Sequence, residues 1–120
     1  MLKIENLHVY YGGIHALDGI SFEVPEKKII TLIGANGAGK TTTLRAITSL
    51  VKPQQGKIFF EGEDITNLST AQIIKKGITL VPEGRRVFSD LTVAENLRLG
   101  AYSRKDIQGI KKDMDFVYEL

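Results

Sequence analysis

The segment Gly34-Ala35-Asn36-Gly37-Ala38-Gly39-Lys40-Thr41 constrains this chain more than any other. It fits the pattern G-x-x-x-x-G-K-[ST], and its surroundings suit that pattern. Before it lies Ile29-Ile30-Thr31-Leu32-Ile33, a continuous apolar, mostly β-branched run that reads as a strand covered on both faces. After it, residues 40–50 read as a helix that stops before Pro53. Glycines in such a loop let successive backbone N–H groups converge on an anion, and the new helix points its unsatisfied amides at the same spot. Lys40 adds a full positive charge for the β- and γ-phosphates, and the Thr41 hydroxyl suits Mg²⁺. Thr42 contributes its amide at the α-phosphate. The reading is an α/β fold that takes a nucleoside triphosphate with Mg²⁺.

The rest of the composition narrows the class. At 120 residues the chain is the size of one domain. Its 16 Lys and Arg against 14 Asp and Glu leave a net charge of +2, with neither a basic stripe nor an acidic tail, so charge implies no nucleic-acid partner. There are 0 cysteines, which removes disulfide and thiolate chemistry. The longest stretch without Asp, Glu, Lys or Arg, from Asn6 to Leu17, contains His, Tyr and Gly, whereas a spanning helix needs ~20 mostly apolar residues. The opening MLKIENL has no apolar signal core. A soluble chain is expected.

Residues 2–9 read as a strand, and Ile20-Ser21-Phe22-Glu23-Val24 alternates apolar and polar as a half-buried strand does. The Tyr10-Tyr11-Gly12-Gly13 stretch between them carries a turn. Residues 57–61 suggest another strand, closed by a Gly62-Glu63-Asp64 turn, and Ile78-Thr79-Leu80-Val81 a second buried core strand ended by Pro82. Ser69 with Gln72, and Thr92 with Glu95, have the spacing of capping boxes, which predicts helices running to Lys76 and towards Tyr102. Ile107, Ile110, Met114 and Val117 recur at helical spacing in a last helix that reaches Leu120 with no Gly, Asn or Pro to stop it.

Taken together, several motifs resemble the ATP-binding cassette (ABC) ATPases. They are the loop GANGAGKTT, the Gly56-Lys57-Ile58 and Gly62-x-Asp64-Ile65 pieces, and Leu91-Thr92-Val93-Ala94-Glu95-Asn96-Leu97. The segment Val81-Pro82-Glu83-Gly84-Arg85-Arg86-Val87-Phe88 is most similar to the ATP-binding subunits of bacterial branched-chain amino acid importers. The resemblance implies a P-loop NTPase (ABC ATPase) core with an N-terminal antiparallel β-subdomain. The β-subdomain would be residues 1–28 and about 56–65, the core residues 29–52 and 77–83, and the start of a helical region residues 92–120. It implies ATP and Mg²⁺ as ligands, and as partners a second ABC ATPase subunit, transmembrane permease subunits and, indirectly, a periplasmic amino acid-binding protein. The corresponding place is the cytoplasm, against the inner face of the plasma membrane.

The same resemblance assigns roles to single residues. Tyr11 would stack on the adenine ring, with Tyr10 as its rival and simple packing beside the turn as the plain alternative. Glu83 stands where most of the family has Gln, whose amide contacts Mg²⁺ and the attacking water. A carboxylate there can reach the same metal and share catalytic duty with Lys40, or it can be a solvated loop charge beside Arg85 or Arg86. Arg85 and Arg86 would face the permease helix or lie in solvent. His8 and His15 have no ligand partners at metal-binding spacing along the chain, and Asp18 and Glu23 read as surface charges.

Hydrolysis also needs a group that orients water. The family's serine–glycine–glycine signature, its catalytic glutamate after an apolar strand ending in aspartate, and its switch histidine have no counterpart in these 120 residues. The chain is therefore expected to be about the N-terminal half of a cassette, binding nucleotide weakly and turning over little alone. The alternatives are a soluble ABC ATPase acting outside transport, against which the lack of fused cassettes or coiled-coil insertions counts, and an unrelated P-loop kinase or GTPase, disfavoured by the absence of N-K-x-D.

Overall fold

A computed structural model describes every residue except Ala35, Asn36, Ala38 and Arg85. The chain divides into two compact units, Met1–Leu80 and Val81–Leu120. In the first, strands β1 (Leu2–Tyr11) and β2 (Ile14–Val24) form a hairpin over the Gly12-Gly13 turn, followed by helix α1 (Lys40–Ile47). Strands β3 (Gln55–Phe60) and β4 (Glu63–Asp64) and helix α2 (Thr70–Lys75) complete it. The sheet is antiparallel throughout, in the order β2-β1-β3-β4.

Strand β1 shows how the sequence sets the core. Its apolar residues fall at Leu2 and Ile4, then at Leu7 and Val9, so the period of two slips by one between Ile4 and Leu7. A bulge there absorbs the slip, with Asn6 at φ 48° and the register shifting against both neighbours. Without it, Leu7 and Val9 would turn to solvent. Instead Ile4, Leu7 and Val9 are buried with Leu17, Ile58, Ile65 and Ile73. Each such side chain contributes about 1.5–3 kcal/mol relative to exposure. Asn tolerates this backbone conformation better than most residues, and its amide N–H donates to Ser21 Oγ at 2.8 Å.

The bulge is cramped. Gly56 of β3, at φ 95°, faces it so closely that a Cβ would come within 2.3 Å of the Asn6 carbonyl oxygen. Helix α1 lays Thr42, Thr43, Ala46 and Ile47 against the core. It ends as the Thr48 hydroxyl donates back to the Leu44 carbonyl and Ser49 turns to φ 63°. Helix α2 is closed by the expected capping box: the Ser69 hydroxyl accepts from the Gln72 amide at 3.2 Å and the Gln72 side chain accepts from the Ser69 amide at 2.9 Å.

Two expectations fail. Residues 29–33 and 78–81 form no strand, and Ile29, Ile33 and Val81 are 96%, 92% and 88% exposed. A β-branched run becomes a core strand only where a neighbour supplies ladder partners on either side. Among the described residues, the four paired strands belong to the antiparallel sheet, and none pairs with either segment. Strand β2 is also longer than its alternating stretch suggested, starting at Ile14 because the tight turn keeps the hairpin paired to its tip.

In the second unit helix α3 (Val93–Leu99) opens with the other expected capping box, Thr92 and Glu95. Asn96 pins the preceding loop: its Oδ1 accepts from the Phe88 amide at 2.9 Å while Nδ2 donates to the Phe88 and Thr92 carbonyls at 3.1 and 2.9 Å. Helix α4 (Ile107–Glu119) follows, and Arg104 donates to Asp106 and Asp113, both at 2.6 Å. These two carboxylates hold the guanidinium pKa above its ordinary value, Asp106 foremost.

Candidate functional site

The loop expected to bind phosphate meets α1 at Gly39, which sits at the N-cap in the left-handed region, φ 99°. Among the described residues, no side chain caps this helix. An uncapped start leaves the leading amides for another acceptor, and the dipole favours a negative one. The first helical bond runs from the Thr43 amide to the Gly39 carbonyl at 2.8 Å, and the Thr43 hydroxyl donates to the same oxygen at 2.8 Å. A non-glycine residue is barred from position 39 twice over: by φ, and because its Cβ would lie 2.7 Å from Leu17 Cδ2 and 3.1 Å from the Ala16 carbonyl oxygen. Strand β2 thus abuts the start of the helix.

Lys40 is half-buried, and its ammonium donates to the Gly34 carbonyl, folding back across the loop. Its stem lines a cavity of about 490 Å³ shared with Phe22, Ile30, Leu32, Leu44 and Ile47. Thr41 is exposed, so its hydroxyl is open to a cation, while Thr42 is buried at 9% exposure. At Gly37, φ is 85° and the space around it is open. Of the other loop residues named from sequence, Gly34 is exposed, and Ala35, Asn36 and Ala38 lie outside the described residues.

Tyr11 ends β1 opposite Ile14 and is 40% exposed. Its rival Tyr10 stacks on His15, with centroids 4.0 Å apart and planes 9° from parallel, so one of its faces is already covered. Glu83 belongs to the second unit and is exposed, and Arg86 Nε donates to its main-chain carbonyl at 3.3 Å rather than to its carboxylate. Arg86 is exposed at φ 32°, and Arg85 is outside the described residues.

The histidines are not isolated, contrary to the expectation from their spacing. His8 Nδ1 and His15 Nε2 are 3.3 Å apart, and Asp18 Oδ1 is 3.7 Å from each. Their separation along the chain hid this, because the hairpin register pairs His8 with Asp18. The signal available in sequence was only that all three flank one tight turn. Asn96 also fixes the loop before α3, and its place behind Thr92, from which a side-chain amide can reach back to that loop, is the sequence signal for it.

The ABC transporter family model matches residues 17–119. The chain belongs to that family. It is 46% identical over 120 residues to BraG of Pseudomonas aeruginosa, a high-affinity branched-chain amino acid transport ATP-binding protein, covering 100% of this chain and 51% of that one. Among solved structures, it is similar to cbiO1 from Clostridium perfringens, part of the ABC transporter complex cbiONQ, with TM-score 0.80, 30% identity, and coverage of 98% of this chain and 49% of that one. It is likewise similar to the ATP-binding cassette MJ0796 in a dimeric post-hydrolysis state bound to ADP and Pi, with TM-score 0.76, 26% identity, and coverage of 88% and 49%. The chain spans about half the length of these relatives. Its fold is accordingly part of an ABC ATPase domain, an antiparallel N-terminal sheet joined to helices. Among the described residues, no helix is long and apolar enough to cross a membrane.

Proposed function

We propose that this chain is the nucleotide-holding part of an ATP-binding subunit that drives uptake of branched-chain amino acids. The observation that carries it is the uncapped start of α1 behind Gly39, with the Lys40 ammonium held over the loop. A polyanion seated there gains the leading amides and the helix dipole. Lys40 exchanges the Gly34 carbonyl for the β- and γ-phosphates, and the Thr42 amide reaches the α-phosphate. Tyr11 offers a ring face to adenine. The Thr41 hydroxyl would hold Mg²⁺, a hard cation that takes oxygen donors, and the family resemblance, rather than the geometry, offers Glu83 as a carboxylate for it. When bound, it neutralises charge between the β- and γ-phosphates.

The substrate class rests on the 46% identity to BraG and on the VPEGRRVF segment. Within such a system the subunit would pair with a second ATPase subunit and press on permease subunits through the segment carrying Arg85 and Arg86, at the inner face of the membrane. A periplasmic receptor would deliver the amino acid. These 120 residues supply the phosphate cradle without a water-orienting signature, so the chain alone should bind ATP weakly and turn it over slowly.

The test is retention of ATP by the Lys40→Ala variant, with GTP as competitor. Loss of a charge-assisted bond worth ~1.5–3 kcal/mol should weaken binding by about tenfold or more. Undiminished retention would overturn the reading.

A further inference from the structure

We propose that His8, His15 and Asp18 form a binding site for a zinc-like divalent transition-metal ion on the β1–β2 hairpin. The three donor atoms stand 3.3, 3.7 and 3.7 Å from one another. Tetrahedral Zn²⁺ binds His nitrogen and carboxylate oxygen at about 2.0–2.2 Å, which sets neighbouring ligand atoms roughly 3.3–3.6 Å apart. The triangle already has nearly that size. Hydrogen bonding alone accounts for it less well, because Asp18 Oδ1 lies equally far from both imidazoles and beyond the reach of a bond to either.

The surroundings hold both imidazoles in place, and the two rings lie nearly parallel, centroids 5.4 Å apart. His8 Nε2 lies 3.3 Å from Asn6 Oδ1, which can only accept. That contact assigns the proton to Nε2 and leaves a lone pair on Nδ1, the atom 3.3 and 3.7 Å from the other two donors. His15 is fixed by its stack on Tyr10. A side chain at Gly19, φ 76°, would crowd Asn6 Oδ1 at 3.0 Å and His8 Nε2 at 3.4 Å, so the bulged strand keeps this outer contact clear. His8 and Asp18 are register partners on paired strands, which makes the frame stiffer than a loop.

Two imidazoles and one carboxylate favour Zn²⁺, Cu²⁺ or Ni²⁺ over Mg²⁺ or Ca²⁺. Three protein ligands leave a fourth position, and Asp18, 81% exposed, puts it at the surface. No residue of this site is assigned to the nucleotide's Mg²⁺ in the reading above, so the two stand or fall separately.

The experiment is a calorimetric titration of the full chain with Zn²⁺, in millimolar Mg²⁺ and without nucleotide. One Zn²⁺ per chain is expected, with His15→Gln and Asp18→Asn each weakening it by at least about tenfold. Co²⁺ should give the intense visible absorption of a four-coordinate ion, lost in His15→Gln. Circular dichroism checks that both variants fold, and Asp18→Asn, at a solvent-facing position, keeps the test decisive if His15→Gln does not. Absence of saturable Zn²⁺ binding, or unchanged affinity in Asp18→Asn, overturns the proposal.

Discussion

Replacing Gly56 by Ala should be among the most damaging single-methyl changes available to the first unit, and Gly62→Ala provides its control. Both glycines have positive φ, 95° and 78°. Placing an L residue in the left-handed region costs roughly 1–2 kcal/mol, which both variants bear. They differ in what the new methyl meets. At Gly62 nothing lies within 4 Å, whereas at Gly56 the Cβ would sit 2.3 Å from the Asn6 carbonyl oxygen and 2.6 Å from that of Glu5. Those atoms are backbone in a paired strand and cannot swing aside, so β1 and β3 must part. Forcing extra volume into packed structure costs typically ~1–3 kcal/mol more. Gly56→Ala should therefore lose about 2–5 kcal/mol and Gly62→Ala about 1–2 kcal/mol, out of the ~5–15 kcal/mol typical of a domain. Urea unfolding followed by far-ultraviolet circular dichroism measures both. Losses equal to within about 0.5 kcal/mol would refute the claim that a backbone clash at the Asn6 bulge, rather than φ alone, dictates glycine at 56.

Tyr11→Ala should weaken ATP binding severalfold, as expected for a lost stack worth ~1–3 kcal/mol, and an unchanged dissociation constant would dismiss Tyr11 as the base platform. Glu83→Gln should alter the Mg²⁺ dependence of ATP hydrolysis by the complete subunit, and superimposable Mg²⁺ titrations would remove Glu83 from the metal. Thr92→Ala deletes the cap of α3 and should cost ~1 kcal/mol in thermal unfolding. Glu95 titrates below the ordinary carboxylate range because the Thr92 amide, and then its hydroxyl, hydrogen-bond the charged form. A depressed folded pKa means that this support is present above the unfolded value of about 4.3 and is lost as pH falls through the folded one. An NMR titration giving Glu95 an ordinary pKa would contradict the capping geometry.

What was legible in the sequence was local. Ser69 with Gln72 and Thr92 with Glu95 state their helix starts within four residues, and the loop before Lys40 announces itself by its glycines. The Gly12-Gly13 turn gives the hairpin. What stayed hidden depends on partners distant in sequence. Residues 29–33 have the composition of a core strand, but composition cannot provide a ladder. The approach of His8, His15 and Asp18 follows from a register that shifts between Ile4 and Leu7, between Leu7 and His8 and again between Val9 and Tyr10. Each shift decides which residues face each other, and of the three only the first is marked in the sequence, by the slip in apolar period between Ile4 and Leu7.

The contact of Leu17 with the bare α-carbon of Gly39 has a mechanical consequence. It is a fulcrum. On one side of it runs the strand that turns back into the tyrosines; on the other begins the helix that carries Lys40. Because no side chain cushions the junction, any residue larger than glycine at position 39 would lever the start of the helix away from the strand.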